Sequence, residues 1–242
     1  MRIAVISDVH ANLTALDAVL ADIALEQPDE LWCLGDIVGY GPRPNECCAL
    51  VAERAAFSLC GNHDLAVVGT LDLDDFAGDA GVAARWTRGV LAETNLTWLA
   101  GLSPKGSRDG VELFHASARD PVWEYVLSER AAILSLTATT APLVLVGHSH
   151  IPLAVGRDDH GVAGGVAPAG TTVELANARW LLNPGSVGQP RDGDPRAAWL
   201  LLDPAAGTAH FRRVAYDVER TQAEMTGAGL PKTLAARLAH GL

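Results

Sequence analysis

Polar residues follow directly after each of five short apolar segments, and this arrangement constrains the fold more than any other feature of the chain. The segments are residues 3–7, 31–34, 57–60, 111–115 and 143–147, and we predict that each is a β-strand. Helical spacing of Leu13, Leu16, Leu20 and Ile23 separates the first two, with Asn12 as the helix N-cap, and Pro44 begins another helix. Strands that alternate with helices favour a mostly parallel sheet.

From residue 151 onward the pattern changes to short strands separated by turns rich in Gly and Pro. We predict strands at 153–155, 172–175, 180–182, 198–202 and 209–214, with a hairpin turn at 204–207. This half is predicted to be antiparallel and to be followed by two short helices from residue 217. Helices are also predicted at 82–91, at 95–99 with Thr94 as the cap, and at 128–136. No linker separates the halves, so we expect one domain, residues 1–242, with two packed sheets.

Composition narrows the class of protein. The 242 residues are 49% hydrophobic and 19% charged, which is typical of a chain that buries a core without disulfides. The net charge of −11 argues against a large positively charged surface for binding nucleic acid, although it is compatible with a local basic groove. No apolar run approaches the ~18–20 residues that span a bilayer. The first apolar run ends at Asp8 and is too short for a signal peptide. We therefore expect a cytoplasmic protein without a membrane partner, whose four cysteines are small buried side chains.

The residues at the predicted strand ends are of types that bind metal ions. They are Asp8, His10, Asp36, Asn62, His63, His115, His148 and His150. In an open α/β sheet, ligands bind at the carboxyl ends of the strands, so we expect these side chains to converge. Imidazole and carboxylate without thiolate suit Mn, Fe, Ni or Zn. So many donors exceed what one tetrahedral ion takes, and they fit two ions roughly 3.5–4 Å apart that share a carboxylate.

Each motif has a simpler explanation when it is taken alone. An Asp after a strand often caps a helix, a Gly-Asp pair makes a turn, and a lone His is more often a packed side chain than a ligand. The segment Gly147-His148-Ser149-His150 is more specific, because two histidines two positions apart on extended backbone point the same way, about 6.6 Å apart. Five motifs in order, each at a strand end, are poorly explained by coincidence.

This ordered set of motifs resembles the calcineurin-like metallophosphoesterase superfamily, in particular its small prokaryotic phosphoesterases. The resemblance spans roughly residues 3–190 and includes the superfamily's Asn-Pro-Gly-Ser turn at residues 183–186. It implies a four-layer α/β/β/α sandwich of two mixed sheets flanked by helices, with the metals at the strand carboxyl ends. One departure is Ala11, which stands where many members have Gly.

The resemblance also implies a role for each residue. Asp8, His10, Asp36 and His150 would hold a first divalent ion, and Asp36, Asn62, His115 and His148 a second, with Asp36 bridging the two. His63 would be the catalytic histidine beside the scissile bond, while Asp64 either orients the His63 ring or caps a helix. The expected reaction is hydrolysis of a small phosphomonoester or phosphodiester, with a hydroxide bridging two ions, Mn favoured, as the nucleophile. His63 would stabilise the transferring phosphoryl group or protonate the leaving oxygen.

Two other classes of function compete with hydrolysis. A non-catalytic protein-binding scaffold with the same fold typically loses ligands, whereas every position of the pattern is filled here. A dinuclear iron oxidase would carry Glu-x-x-His on bundle helices, which this chain does not have. Arg191, in the turn-rich segment 189–196, either binds a phosphate with two nitrogens or forms a surface ion pair, and the sequence slightly favours the ion pair.

Overall fold

The computed structural model describes residues 1–242, and its strands form two six-stranded sheets. The strands of the first sheet are β1 (Ile3–Ile6), β2 (Glu30–Cys33), β3 (Phe57–Ser58), β9 (Thr172–Glu174), β11 (Ala197–Asp203) and β12 (Thr208–Val214), in the order β3-β2-β1-β11-β12-β9. The strands of the second sheet are β4 (Lys105–Arg108), β5 (Val111–Phe114), β6 (Leu143–Leu145), β7 (Leu153–Asp158), β8 (Gly161–Val166) and β10 (Arg179–Asn183), in the order β4-β5-β6-β10-β7-β8.

Both sheets are mixed. Strands β1, β2 and β3 run parallel to one another, and β11 pairs antiparallel with β1. In the second sheet β5, β6 and β10 are parallel, while β4, β7 and β8 pair antiparallel. The predicted antiparallel pairing of the second half is therefore confirmed for β7, β9, β11 and β12. It is only partly correct for β10, which pairs antiparallel with β7 but parallel with β6.

Helices cover the outer faces of the sheets. They are α1 (Leu13–Glu26), α2 (Pro44–Arg54), α3 (Asn62–Val68), α4 (Gly78–Val90), α5 (Glu93–Ala100), α6 (Glu129–Thr137), α7 (Val218–Gly227) and α8 (Lys232–Leu238). The Asn12 side chain accepts a hydrogen bond from the backbone N–H of Ala15, so the predicted cap of α1 is confirmed. Thr94 does not cap α5, because that helix already begins at Glu93. The Asn45 side chain accepts a hydrogen bond from the N–H of Ala92, the residue before the helix.

Successive side chains of β1 face opposite sides of the first sheet, which shows how the layers are built. Ile3 and Val5 face the second sheet and share a core with Leu113 and Leu182, whereas Ala4 and Ile6 face the helices. A third cluster packs the outer face of the second sheet against α6. The molecule is thus the four-layer α/β/β/α sandwich that the resemblance implied.

The glycine-rich strand β8 was not predicted, since Gly161–Val166 offers no alternation of apolar and polar residues. All four cysteines are free and buried, as expected. None of the eight helices combines the length and the hydropathy that a bilayer crossing requires.

Candidate metal centre

The loops that follow the parallel strands meet at one edge of the sandwich. Asp8 and His10 follow β1, Asp36 follows β2, His115 follows β5, and the loop after β6 carries His148 and His150. Parallel strands end at the same edge of their sheet, which is why these loops converge. The predicted convergence is confirmed, because the carboxylates and imidazoles of these six residues form two groups of close donor atoms.

The first group consists of Asp8, His10, Asp36 and His150, whose donor atoms all lie within 4.8 Å of one another. His150 Nε2 lies 3.4 Å from Asp8 Oδ1, and His10 Nε2 lies 3.6 Å from Asp36 Oδ2. The Nε2 atoms of the two histidines are 3.0 Å apart. All four residues are buried, so water does not screen these groups from one another.

The second group consists of Asp36, His115 and His148. His115 Nε2 lies 3.5 Å from Asp36 Oδ2 and 3.3 Å from Asn62 Oδ1, which adds the amide oxygen of Asn62 to the group. Asp36 belongs to both groups, and one of its oxygens, Oδ2, faces a histidine from each. All seven residues predicted as ligands are therefore adjacent.

The histidine rings are oriented by backbone carbonyls. His10 Nδ1 faces the carbonyl of Val38 at 3.2 Å, His115 Nδ1 that of Leu34 at 2.9 Å, and His150 Nδ1 that of Gln189 at 2.5 Å. A carbonyl only accepts, so each Nδ1 carries the proton and each Nε2 presents a lone pair to the centre.

These orientations test whether a cation fits. Two lone pairs 3.0 Å apart on His10 and His150 repel each other unless a positive charge lies between them. His148 Nε2 is buried without a hydrogen-bond partner, which is costly for a polar atom. A divalent ion in each group would resolve both conflicts, and the nitrogen and oxygen donors are those that divalent transition metals bind.

Burial shifts the titration of the metal-free centre. It raises the pKa of Asp8 to about 7 and holds the pKa of Asp36 well above its ordinary value. It lowers the pKa of His148 to about 2 and the pKa values of His10 and His150 well below their ordinary value. Without an ion, the site thus favours neutral groups, because a buried charge with no partner is penalised.

Several of these side chains stand on left-handed backbone. The φ angles are 54° at Asp8, 48° at His10, 49° at Asp36, 63° at His148 and 59° at His150. The prediction that His148 and His150 lie on extended backbone is therefore wrong, since β6 ends at Leu145. The left-handed conformation costs residues with a Cβ roughly 1–2 kcal/mol each, and such strain is concentrated at functional sites.

The turn at Asn183–Ser186 supports two of the ligand loops. The Asn183 side-chain amide donates to the carbonyl of Gly147 at 2.8 Å and to Ser149 Oγ at 2.9 Å, which anchors the loop carrying His148 and His150. Ser186 Oγ donates to the carbonyl of Asp8 at 2.8 Å. The Asn-Pro-Gly-Ser motif thus positions ligands from both sheets without contributing one.

His63 lies beside the centre but in neither group of donors. Asn62 and His63 occupy the first turn of α3, which begins directly after Gly61. The backbone N–H of His63 donates to Asp36 Oδ1 at 2.9 Å, and its ring lies edge-on to that of His10. Burial lowers the pKa of His63 to about 3, which keeps the ring neutral in the free protein.

Asp64 does not orient the His63 ring. Its carboxylate accepts hydrogen bonds from the backbone N–H groups of Gly61 at 2.9 Å, Ile37 at 3.0 Å and Val38 at 3.0 Å. Nδ1 of His63 is buried without a partner. Asp64 therefore caps α3, which was one of its two expected roles, and it ties this helix to the loop of Asp36. None of its contacts supports a catalytic role.

Arg191 faces the centre, contrary to the interpretation as a surface ion pair. Its guanidinium donates to Gln189 Oε1 at 2.8 Å and to the Tyr40 hydroxyl at 3.4 Å, and it lies over the Tyr40 ring. The adjacent Asp192 pairs with Arg213 and not with Arg191, whose Nε is buried without a partner. The sequence pattern pointed to a loop but gave no sign of the direction of this side chain.

Sequence reasoning also missed an aromatic rim around the centre, formed by Tyr40, Phe76, Trp123 and Tyr125. Tyr40 and Phe76 pack against His63, at 4.4 and 5.0 Å between ring centroids, and Tyr125 stacks on His148 at 4.0 Å. These rings come from loops without periodicity, where no sequence signal of burial or direction exists. His160, His210 and His240 belong to neither donor group.

Comparison with known proteins agrees with this geometry. The model of the calcineurin-like phosphoesterase superfamily domain matches residues 1–206. A solved metallophosphoesterase from Sphaerobacter thermophilus is 45% identical and superposes with a TM-score of 0.91, covering 100% of this chain and 99% of that chain. An uncharacterized protein of Methanocaldococcus jannaschii is 37% identical over 246 residues, 99% of this chain and 98% of its own.

A more distant relative is named as a symmetrical bis(5′-nucleosyl)-tetraphosphatase from Nitrosococcus oceani. It is 30% identical over 145 residues, which cover 54% of this chain and 49% of the relative. The family model covers most of the chain, and the Sphaerobacter thermophilus protein shares its length and fold. The chain belongs to the calcineurin-like phosphoesterase superfamily.

Proposed function

We propose that this protein hydrolyses small phosphate esters and holds two divalent metal ions. Asp8, His10, Asp36 and His150 would bind one ion, and Asp36, Asn62, His115 and His148 the other. One observation carries the proposal: Asp36 Oδ2 lies 3.6 Å from His10 Nε2 and 3.5 Å from His115 Nε2, so one carboxylate serves both groups. A shared carboxylate is what holds two ions at a separation useful for phosphoryl transfer.

We favour Mn²⁺ as the ion for the first experiments, with Fe, Ni and Zn as alternatives. The centre offers carboxylate, amide and imidazole donors and no thiolate. Carboxylate and carbonyl oxygens suit Mn, and imidazole suits Fe, Ni and Zn. When bound, two such ions supply Lewis acidity toward phosphate oxygens and lower the pKa of a coordinated water toward ~7.

The residues of the chain supply orientation and charge. The carbonyls of Val38, Leu34 and Gln189 hold three of the imidazoles with Nε2 turned inward, so the donors are preorganised before substrate arrives. Arg191 adds a positive charge that no carboxylate neutralises, although the chain as a whole is acidic. A guanidinium in this state suits an anionic substrate, since its planar donors match phosphate oxygens.

His63 is the residue we propose to touch the substrate. It is adjacent to Asn62, its backbone is tied to Asp36, and its ring belongs to neither donor group. Burial keeps the ring neutral in the free protein, and the negative charge of a bound phosphate raises the pKa of a nearby histidine. His63 would then hold a proton next to the leaving oxygen and donate it as the ester bond breaks.

The proposal also covers the setting in which the enzyme works. Both sheets contribute donors to one centre, which supports residues 1–242 acting as a single domain. Four free, buried cysteines suit a reducing compartment, and we propose the cytoplasm. The Nitrosococcus oceani relative is named as a bis(5′-nucleosyl)-tetraphosphatase, so nucleoside phosphate anhydrides belong among the candidate substrates.

The test combines metal content with turnover. Protein loaded with Mn, Fe, Ni or Zn in turn is assayed on p-nitrophenyl phosphate and bis(p-nitrophenyl) phosphate, and its metal content is measured by elemental analysis. We expect close to two ions per chain and turnover that Asp36→Asn abolishes. Two bound ions without turnover on any ester would favour the non-catalytic scaffold, and a firm stoichiometry of one would remove the second site.

A further inference from the structure

The candidate centre is almost sealed from solvent, although a substrate has to reach it. The eight residues at the predicted strand ends are buried, and the most exposed of them, Asn62, is only 4% exposed. The aromatic rim lies over them, because Tyr125 stacks on His148 and Phe76 packs against His63. The way in therefore passes this rim, and the side chains there contact whatever is attached to the phosphate.

Two rings of the rim are open to solvent. Trp123 is 38% exposed and Tyr125 is 45% exposed, and no other aromatic side chain of the protein is exposed. One face of Tyr125 lies on the His148 ring with an angle of 26° between the planes, so its exposure comes from the opposite face. Trp123 meets the buried ring of Phe76 at 5.4 Å between centroids.

The loop that carries the two rings, residues 116–127, is held in place by hydrogen bonds. Ser117 Oγ accepts from the N–H groups of Arg119 and Asp120, and Asp120 Oδ1 accepts from the N–H groups of Val122 and Trp123 at 3.0 and 3.1 Å. The Arg119 guanidinium pairs with a carboxylate in the same loop. Large apolar rings on a fixed loop lose little entropy when a ligand stacks on them, so the surface is preorganised.

We propose that Trp123 and Tyr125 bind a flat aromatic ring in the alcohol part of the substrate, which makes nucleotides, phosphate esters of nucleosides, the substrate class. This inference rests on the proposed function and deepens it. The rim offers ring faces and not an aliphatic groove, and nucleobases stack on such faces whatever their identity. Arg191 and the centre hold the phosphate end, and the exposed rings hold the base end.

The experiment uses substrate pairs in which one member carries a nucleobase and the other does not. AMP and ribose 5-phosphate share the same phosphate ester and the same leaving oxygen. If the protein prefers diesters, thymidine 5′-(p-nitrophenyl) phosphate and methyl p-nitrophenyl phosphate share the nitrophenyl leaving group. Stacking on one or two rings predicts that the nucleoside member has a KM about 5- to 100-fold lower, with a similar kcat.

Variants assign the effect to the two rings. Trp123→Leu and Tyr125→Leu are expected to bring the ratio of the two KM values, ribose 5-phosphate over AMP, close to 1, whatever each variant does to the turnover of ribose 5-phosphate. Tyr125→Phe keeps the ring and should keep the advantage. Leu127→Ala is the control for an exposed apolar side chain in the same loop, and it should change neither KM. Circular dichroism and metal analysis show whether each variant is folded and loaded.

A binding measurement provides a readout that does not depend on turnover. AMP stacked on Trp123 should quench part of the tryptophan fluorescence of the metal-loaded protein, and this part should be absent in Trp123→Phe. Ribose 5-phosphate should quench neither protein. CMP should behave like AMP, because stacking tolerates every base.

The outcomes separate this inference from the proposed function. Absence of turnover on every ester with every metal refutes the proposed function. Turnover with equal KM values within each substrate pair, or leucine variants that weaken both members equally, refutes the aromatic site and leaves the hydrolase intact. A lower KM for the nucleoside member, lost in both leucine variants and kept in Tyr125→Phe, supports it.

Discussion

Gly61 offers a steric test of the centre that removes no functional group. Its φ of −106° suits any residue, so Gly61→Ala brings no backbone strain. A Cβ at this position would lie closest to Asp36 Oδ1, and it would lie 2.6 Å from both Asp36 Cγ and His115 Cε1, whereas real Cβ contacts are essentially never below 3.0 Å. One added methyl group therefore pushes on Asp36, which belongs to both donor groups, and on His115, which belongs to the second.

The size of the effect follows from these distances. Moving from 2.6 to 3.0 Å displaces His115 by at least 0.4 Å, and the closer contact with Oδ1 requires a larger shift of Asp36, whereas metal–ligand distances tolerate about 0.2 Å. Overpacking costs roughly 1–3 kcal/mol, and at ~2–4 °C per kcal/mol the metal-free protein should melt about 2–12 °C lower. We expect the variant to fold but to bind less than one ion per chain and to lose turnover.

The assay pairs elemental analysis with thermal denaturation followed by circular dichroism. Gly89→Ala is the matched control, because a Cβ there meets nothing within 4 Å in helix α4, and it should stabilise the protein by up to ~1 kcal/mol. If Gly61→Ala retained two tightly bound ions and normal turnover, the convergence of Asp36 and His115 on shared ions would be wrong.

Four further outcomes are expected. Asp36→Ala should lower the occupancy of both ions and His150→Ala mainly that of one, as counted by elemental analysis; equal loss in both variants contradicts the bridging role. His63→Asn should keep both ions yet lose more rate on alkyl than on nitrophenyl esters, by a share of the ~10²–10⁴-fold that proton transfer contributes; equal losses point to electrostatic stabilisation alone. Because burial raises the pKa of Asp8 to about 7, metal loading should release protons at neutral pH and metal affinity should fall below pH 7; calorimetry in buffers of different ionisation enthalpy measures this, and an affinity independent of pH refutes it. Ala11→Gly should raise the melting temperature by a few degrees, since Ala11 has a φ of 52°; a lower melting temperature would show that this conformation carries no strain.

The order of the motifs along the chain predicted which residues converge, but it did not predict their backbone conformations. Apolar segments followed by Asp8, Asp36, His115 and His148 were sufficient to place these residues at one edge, because parallel strands end together. The sequence did not show that His148 and His150 have positive φ angles or that Asn62 and His63 begin a helix. Those conformations are imposed by tertiary hydrogen bonds, such as the one from Asn183 to Gly147.

Side-chain directions in loops were the least predictable part of the site. Arg191 was expected to pair with a carboxylate on the surface, yet it lies over Tyr40 and donates to Gln189. Trp123 and Tyr125 gave no signal at all, since loop 116–127 takes its shape from the contacts of Ser117 and Asp120. Periodicity reports which face of a helix or strand is buried, and a loop has no such period.

The left-handed backbone at the centre sets function against thermostability. Five residues predicted to bind metal hold a conformation that glycine or asparagine adopts more easily, and four of them lie in two short loops, residues 8–10 and 148–150. A mutation such as His148→Gly would relieve strain and also remove a buried nitrogen without a partner. Selection for heat resistance in metal-free medium should therefore accumulate substitutions in these loops and abolish metal binding. Selection with metal present should retain the original residues of the loops.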